Sequence, residues 1–149
     1  MIKIELSQTI QLIYYLFIII ALVLGSIEGW YYKISWFDLF VHFLSGVITS
    51  VLSLIIIKKI HLLTIEHTAF IILFMISFTL FVASSWEFFE FFSDKILKGD
   101  AQWVALTGVD DTMTDMLIAL LGSIGFSIYY LTQIKFNGKI FLKQLTKVL

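Results

Sequence analysis

Four stretches of the chain, each about as long as a bilayer is thick, contain no acidic or basic side chain apart from one histidine. They are residues 6–27, 39–57, 68–86 and 116–134. A helix needs about 20 mostly apolar residues to cross about 30 Å of hydrocarbon, whereas the helices of a soluble core usually keep a polar stripe. The pattern therefore predicts an all-α integral membrane bundle of four transmembrane helices, at about 9–30, 37–57, 68–94 and 111–133.

The composition agrees with a membrane domain. Of the 149 residues, 60% are hydrophobic and 14% are charged, against about 45–50% and about 25% in a soluble domain. Cysteine is absent, which excludes disulfides and thiolate metal sites. The first stretch is longer than the apolar part of a signal peptide, so we interpret it as a retained span. We expect residues 1–149 to form a single membrane domain, with lipids as partners and no nucleic acid.

The lysines predict an orientation. Seven of the ten would share a side with both termini, and the positive-inside rule places that side in the cytoplasm of a bacterial cell, with the protein in its inner membrane. Residues 135–149 repeat lysine every four positions between apolar residues. This is typical of a basic amphipathic helix on the anionic inner leaflet, and a solvated basic tail fits equally well.

Nine of the eleven acidic residues fall at the opposite, outer end. Their helical spacing places three sets each on one face of its helix: Asp38 with His42; Glu87 with Glu90 and Asp94; and Asp111 with Asp115. Small residues, which mark helix contacts in lipid, continue these faces: Gly46, Ser50 and Ser53; Ser77 and Ser84; Gly122 and Gly125; and, in the first helix, Ala21 and Gly25. We therefore expect the acidic faces to point toward one another.

Several carboxylates in one pocket need a counter-charge, and the chain has no arginine. A divalent cation would supply it, and oxygen ligands with one imidazole suit Mg²⁺, Mn²⁺ or Ca²⁺ better than Zn²⁺. The predicted metal ligands are Asp38, His42, Glu87, Asp111 and Asp115, and the predicted catalytic residues are His42 and Glu90. Two alternatives need no metal. His42 could be hydrogen-bonded to a carboxylate in a packed interface, or the carboxylates could take up and release protons.

Three segments resemble a known family. They are Asp38-Leu-Phe-Val-His42-Phe43 followed by Gly46, then Trp86-Glu87-Phe-Phe-Glu90, and then Asp111-Thr-Met-Thr-Asp115-Met116 followed by Gly122. Together they resemble the uncharacterised bacterial inner-membrane family that includes YjdF, from about Ile27 to Gly125. The layout is more distantly similar to the VanZ-like family, from which Leu39, Glu90 and Asp115 depart. The resemblance implies a membrane fold and a site, but no reaction.

Three functions fit these observations. The first is a metal-dependent hydrolase or transferase acting on a lipid or envelope precursor at the outer leaflet, with His42 or Glu90 as general base. The second is a cation or proton transporter that uses the same acids, although the inner halves of the helices show no matching ionisable residues. The third is a non-catalytic envelope or stress factor whose acidic cluster only holds the bundle together.

The lysine distribution generates a prediction about topology. A reporter enzyme that works only in the cytoplasm should be active when fused after Leu149, because both termini are expected on the lysine-rich side. Activity of a periplasmic reporter, such as a secreted phosphatase, at this position would contradict the orientation.

Overall fold

The computed structural model describes residues 7–98 and 109–149, and Lys3, Asp100 and Trp103 of the sequence lie outside them. The four predicted spans are confirmed as helices long and apolar enough to cross a membrane: Gln8–Ile27, Phe37–Lys59, Thr68–Leu97 and Asp110–Val148. We name the helices α1 (Gln8–Ile18), which continues as a π-helix (Ile19–Ile27), α2 (Trp30–Lys33), α3 (Phe37–Lys59), α4 (Thr68–Leu97) and α5 (Asp110–Val148).

The first span ends earlier than predicted. Its second half is π-helical, and the Glu28 N–H donates to the Val23 carbonyl five residues back. Gly29 then adopts a left-handed backbone, with φ of 71°, which glycine allows without a steric penalty. The chain turns there into α2, so Trp30 belongs to the connection and not to the span.

Helices α3 and α5 make the closest contact in the bundle. A Cβ atom on Gly46 would overlap the backbone carbonyl of Ala119, and one on Gly122 would overlap that of Phe43. Glycine at both positions lets the two backbones touch, as small residues do between membrane helices. One turn further along α3, Ser50 Oγ donates to Ser123 Oγ across the interface at 2.8 Å.

Two of the small residues expected on inward faces do not lie there. The buried face of α4 consists of Ile71, Met75, Thr79, Ala83 and Glu87, which repeat every four residues. Ser77 falls between them and is exposed. Gly125 is also exposed, with no atom within 4 Å of a Cβ built on it. A serine or glycine therefore did not by itself identify the buried face, because apolar neighbours with the right spacing occupy it.

The apolar core lies at the end of the bundle opposite the acids, which we call the lysine-rich end. It contains Ile10, Leu54, Ile55, Ile57, Ile71, Met75, Tyr130 and Leu149. In the first span only Ile10 and Gly25 are buried. The first helix is therefore loosely attached to a three-helix unit of α3, α4 and α5.

Residues 135–149 continue α5 instead of forming a separate helix, and α5 bends. The rings of Tyr130 and Phe141 lie 5.7 Å apart, although eleven residues of straight helix would separate their Cα atoms by about 16 Å. The bend brings the tail back to α3, where Lys58 Nζ donates to the Thr146 carbonyl at 2.8 Å. Phe136 and Ile140 remain exposed, and contact of this tail with a membrane surface stays a prediction.

The α3–α5 contact predicts that replacing glycine by alanine lowers the stability at one position and not at another. Gly46→Ala should destabilise the protein by about 1–3 kcal/mol, because the added methyl group forces the two backbones apart. Gly125→Ala, at an open position of α5, should cause no loss. Thermal unfolding in one detergent compares both variants with the wild type. Equal stability of the two variants would contradict the close contact.

Candidate metal centre

Asp38, His42 and Asp115 lie together at the acidic end of the bundle. Asp38 and His42 are one turn apart at the start of α3, and Asp115 is one turn inside α5. His42 Nε2 lies 3.5 Å from Asp38 Oδ1 and 3.7 Å from Asp115 Oδ2. The contact between α3 and α5 explains why His42 and Asp115 lie side by side. Gly46 touches Ala119, and His42 and Asp115 each lie four residues before that contact on their own helix.

The same imidazole nitrogen faces both carboxylates. One N–H can donate a good hydrogen bond to only one of them, and both distances exceed the usual 2.7–3.2 Å. If Nε2 is unprotonated, its lone pair and the two carboxylate oxygens face a common space. Three acceptors that face one another are the arrangement that a cation requires.

The separations suit a single ion. One ligand atom from each of the three residues lies within 4.8 Å of the others. Two oxygens bound to Ca²⁺ at 2.3–2.6 Å can be at most about 4.6–5.2 Å apart. For Mg²⁺, at 2.0–2.1 Å, the limit is about 4.2 Å. Separations of up to 4.8 Å are therefore compatible with Ca²⁺, whereas a smaller ion would need the ligand atoms to lie closer together.

Asp115 gives an independent indication of a ligand. Its side chain is 4% exposed, and its Oδ1 has no hydrogen-bond partner among the described residues. A buried carboxylate oxygen without a partner is costly, because it has lost water and gained nothing in exchange. A bound cation would compensate for that loss.

The other predicted site residues lie around this group. Glu90 and Asp111 line the same cavity as the three residues. Glu90 Oε1 accepts a hydrogen bond from Trp86 Nε1 at 2.9 Å, which fixes its carboxylate. Glu87 is buried on α4 and is not part of the three-residue group. The structure thus brings Asp38, His42 and Asp115 together and places Glu90 and Asp111 at the same opening.

The cavity is larger than the acidic cluster. It has a volume of about 1030 Å³ and extends from the acids toward the middle of the bundle, between the first span and α3. Tyr31 and Lys33 of α2 line its outer end. Burial and the neighbouring carboxylates, Asp38 foremost, raise the pKa of the Tyr31 hydroxyl above its ordinary value. Tyr31 therefore stays a neutral hydrogen-bond donor at physiological pH.

Comparison with known proteins identifies a membrane protein family and assigns no activity to it. Residues 1–135 match the family described as "Predicted membrane protein (DUF2238)". The chain belongs to this family. No curated protein and no solved structure matches it. The family match covers all the residues of the three-residue group, so the group lies within the family's own domain.

The sequence did not predict several residues that shape the acidic part of the cavity, among them Trp86, Tyr31 and Lys33. Trp86 was not predicted to be a site residue, although its spacing of four from Glu90 could have indicated the hydrogen bond. Tyr31 and Lys33 carry no periodic signal, because the turn at Gly29 brings them to the cavity. That turn depends on a single left-handed glycine.

Proposed function

We propose that the acidic end binds one divalent cation through Asp38, His42 and Asp115. The observation that carries this proposal is the single His42 Nε2 facing two carboxylates at distances too long for a good hydrogen bond. Mg²⁺, Mn²⁺ and Ca²⁺ suit the two carboxylates, and Zn²⁺ suits the set less well because an oxygen-rich group is not its preferred environment. Asp111 and Glu87 would offer further negative charge to the ion.

We further propose that this end faces the outside of a bacterial cell membrane and the lysine-rich end faces the cytoplasm. The distribution of lysines supports this orientation. The cavity would then admit ligands from the outer surface and from the outer leaflet.

The chemistry that fits such a site is hydrolysis or group transfer on a lipid or envelope precursor. A bound cation would polarise a phosphoryl or carbonyl oxygen. With His42 engaged as a ligand, Glu90 would be the general base, because Trp86 holds its carboxylate at the cavity. His42 would then position the ion and would not transfer a proton.

Transport of a cation or proton is the second candidate, and one observation favours it. The hydroxyls of Thr79, Ser127 and Tyr130 are buried in the lysine-rich half without a hydrogen-bond partner in the described part of the chain. Waters between them would extend a polar path beyond the acids. Liposome flux that falls in Thr79→Val, with cation binding unchanged, would favour transport over hydrolysis.

The cation proposal is tested by thermal unfolding with chelator and with added Mn²⁺ or Ca²⁺. The wild type should gain stability from the ion, by about 2.7 kcal/mol at a hundredfold excess over Kd. Asp115→Asn should gain nothing, since it removes a ligand. Asp110→Asn, which makes the same chemical change at an exposed residue of α5 outside the cavity, should behave as the wild type.

A wild-type melting temperature that is the same with chelator, Mn²⁺ and Ca²⁺ would contradict the cation proposal. Asp115→Asn would in that case be informative by itself. If it is more stable than the wild type in chelator, the acids repel one another without a compensating cation, and the transporter and the non-catalytic factor replace the metal-dependent enzyme as candidates.

A further inference from the structure

The cavity joins two chemically different regions. Its outer part holds Asp38, His42, Asp111 and Asp115, with Lys33 at the opening. Its inner part, which we call the apolar arm, is lined mainly by Phe17, Ile18, Leu22, Ile48 and Leu52. One polar end and one long apolar arm in a continuous space match the shape of an amphiphile.

The apolar arm is long enough for a hydrocarbon chain. Leu52 lies fourteen residues along α3 from Asp38, which corresponds to about 21 Å of helix. One leaflet of the hydrocarbon core is about 15 Å deep. The volume of about 1030 Å³ stands at the upper end of ligand pockets, which span about 300–1,000 Å³. A chain that reaches from the acids into the arm would therefore be accommodated along its whole length.

Water is a poor occupant of this arm. An ordered water needs two to four polar partners, and most of the lining at this depth is apolar, with Tyr14 and Thr49 as polar residues. The first span, which forms one wall, buries only Ile10 and Gly25. Its loose attachment to α3 gives a hydrocarbon chain from the surrounding bilayer a lateral way in.

The charges at the outer end select the headgroup. Carboxylates alone would repel an anion, but a cation bound to Asp38, His42 and Asp115 would reverse the local charge. Lys33 adds a second positive charge at the opening, and its Nζ donates to the Glu28 carbonyl. The Tyr31 hydroxyl adds a neutral donor. Cations, a lysine and a hydroxyl donor are the groups that bind phosphate.

We propose that the cavity binds a lipid phosphate, with its hydrocarbon chain in the apolar arm and its phosphate at the Asp38–His42–Asp115 cation. The phosphate part of this inference rests on the proposed function, because the proposed cation would bind the headgroup. The hydrocarbon part rests on the lining and length of the apolar arm. It names the substrate class of the site, which is a phosphate on a single acyl or polyprenyl chain.

A variant that fills the arm tests the proposal without touching the acids. Ala21 lines the cavity on the first span, so Ala21→Trp should obstruct the arm. Val23→Trp adds the same side chain at an exposed position that does not line the cavity, and it is the matched control. Binding of oleoyl lysophosphatidate, farnesyl phosphate and monooleoylglycerol is measured in one detergent, with Mn²⁺ and with chelator.

With Mn²⁺, the wild type and Val23→Trp should bind at least one of the two phosphates at least tenfold more tightly than monooleoylglycerol, and chelator should remove this preference. The phosphate bound more tightly identifies the chain as acyl or polyprenyl. Ala21→Trp should lose at least tenfold in phosphate binding while taking up as much Mn²⁺ as the wild type. Asp115→Asn should lose both the phosphate binding and the Mn²⁺ uptake.

Two results would overturn the inference and leave the cation site intact: unchanged lipid binding in Ala21→Trp, or equal binding of the phosphates and the uncharged lipid by a wild type that takes up Mn²⁺. A wild type that takes up no Mn²⁺ and shows no phosphate preference would overturn the proposed function as well. Mn²⁺ uptake therefore separates the two failures.

Discussion

The contact between the backbones of α3 and α5 is the constraint on which the site depends. Gly46 and Gly122 let each helix reach the carbonyls of the other, and no side chain can be added there without moving one helix. This contact fixes the height of α5 against α3. His42 and Asp115 each lie one turn before it, so their side chains meet in the same layer. The carboxylate on one helix is thereby held beside the imidazole on the other, and the site needs no loop to assemble it.

The two ends of the bundle differ in packing and polarity. Apolar side chains and the folded-back tail fill the lysine-rich end, where van der Waals packing holds the helices together. The acidic end holds a large cavity and buried carboxylates, which cost free energy unless they are compensated. The first span follows the same division, because it is fastened by Ile10 at one end and by Gly25, under the Tyr31 ring, at the other. Between these two points it lines the cavity.

The sequence predicted the four helices well, because charge gaps are a direct consequence of bilayer thickness. Of the five predicted ligands, the structure groups Asp38, His42 and Asp115, and the i, i+4 spacing on each helix follows from helix geometry. The sequence predicted the faces less well. Ser77 was expected inside, but Thr79 and Ala83 share the spacing of Glu87 and lie there instead. The bend in α5 and the turn at Gly29 depend on contacts far apart in sequence and on one left-handed residue. Local periodicity contains no information about the bend or the turn. The apolar arm and the positions of Tyr31 and Lys33 could therefore be seen only in the tertiary structure.

The cation site is tested most directly by asking whether a nitrogen of His42 binds the ion. Electron spin-echo envelope modulation on the Mn²⁺-loaded protein detects a nitrogen nucleus bound to the metal. A cation held by His42 should give ¹⁴N modulation in the wild type and none in His42→Gln. His67→Gln, a change at an exposed histidine of the α3–α4 connection, should keep the modulation. Mn²⁺ bound to the wild type without nitrogen modulation, or modulation that survives His42→Gln, would contradict the central claim.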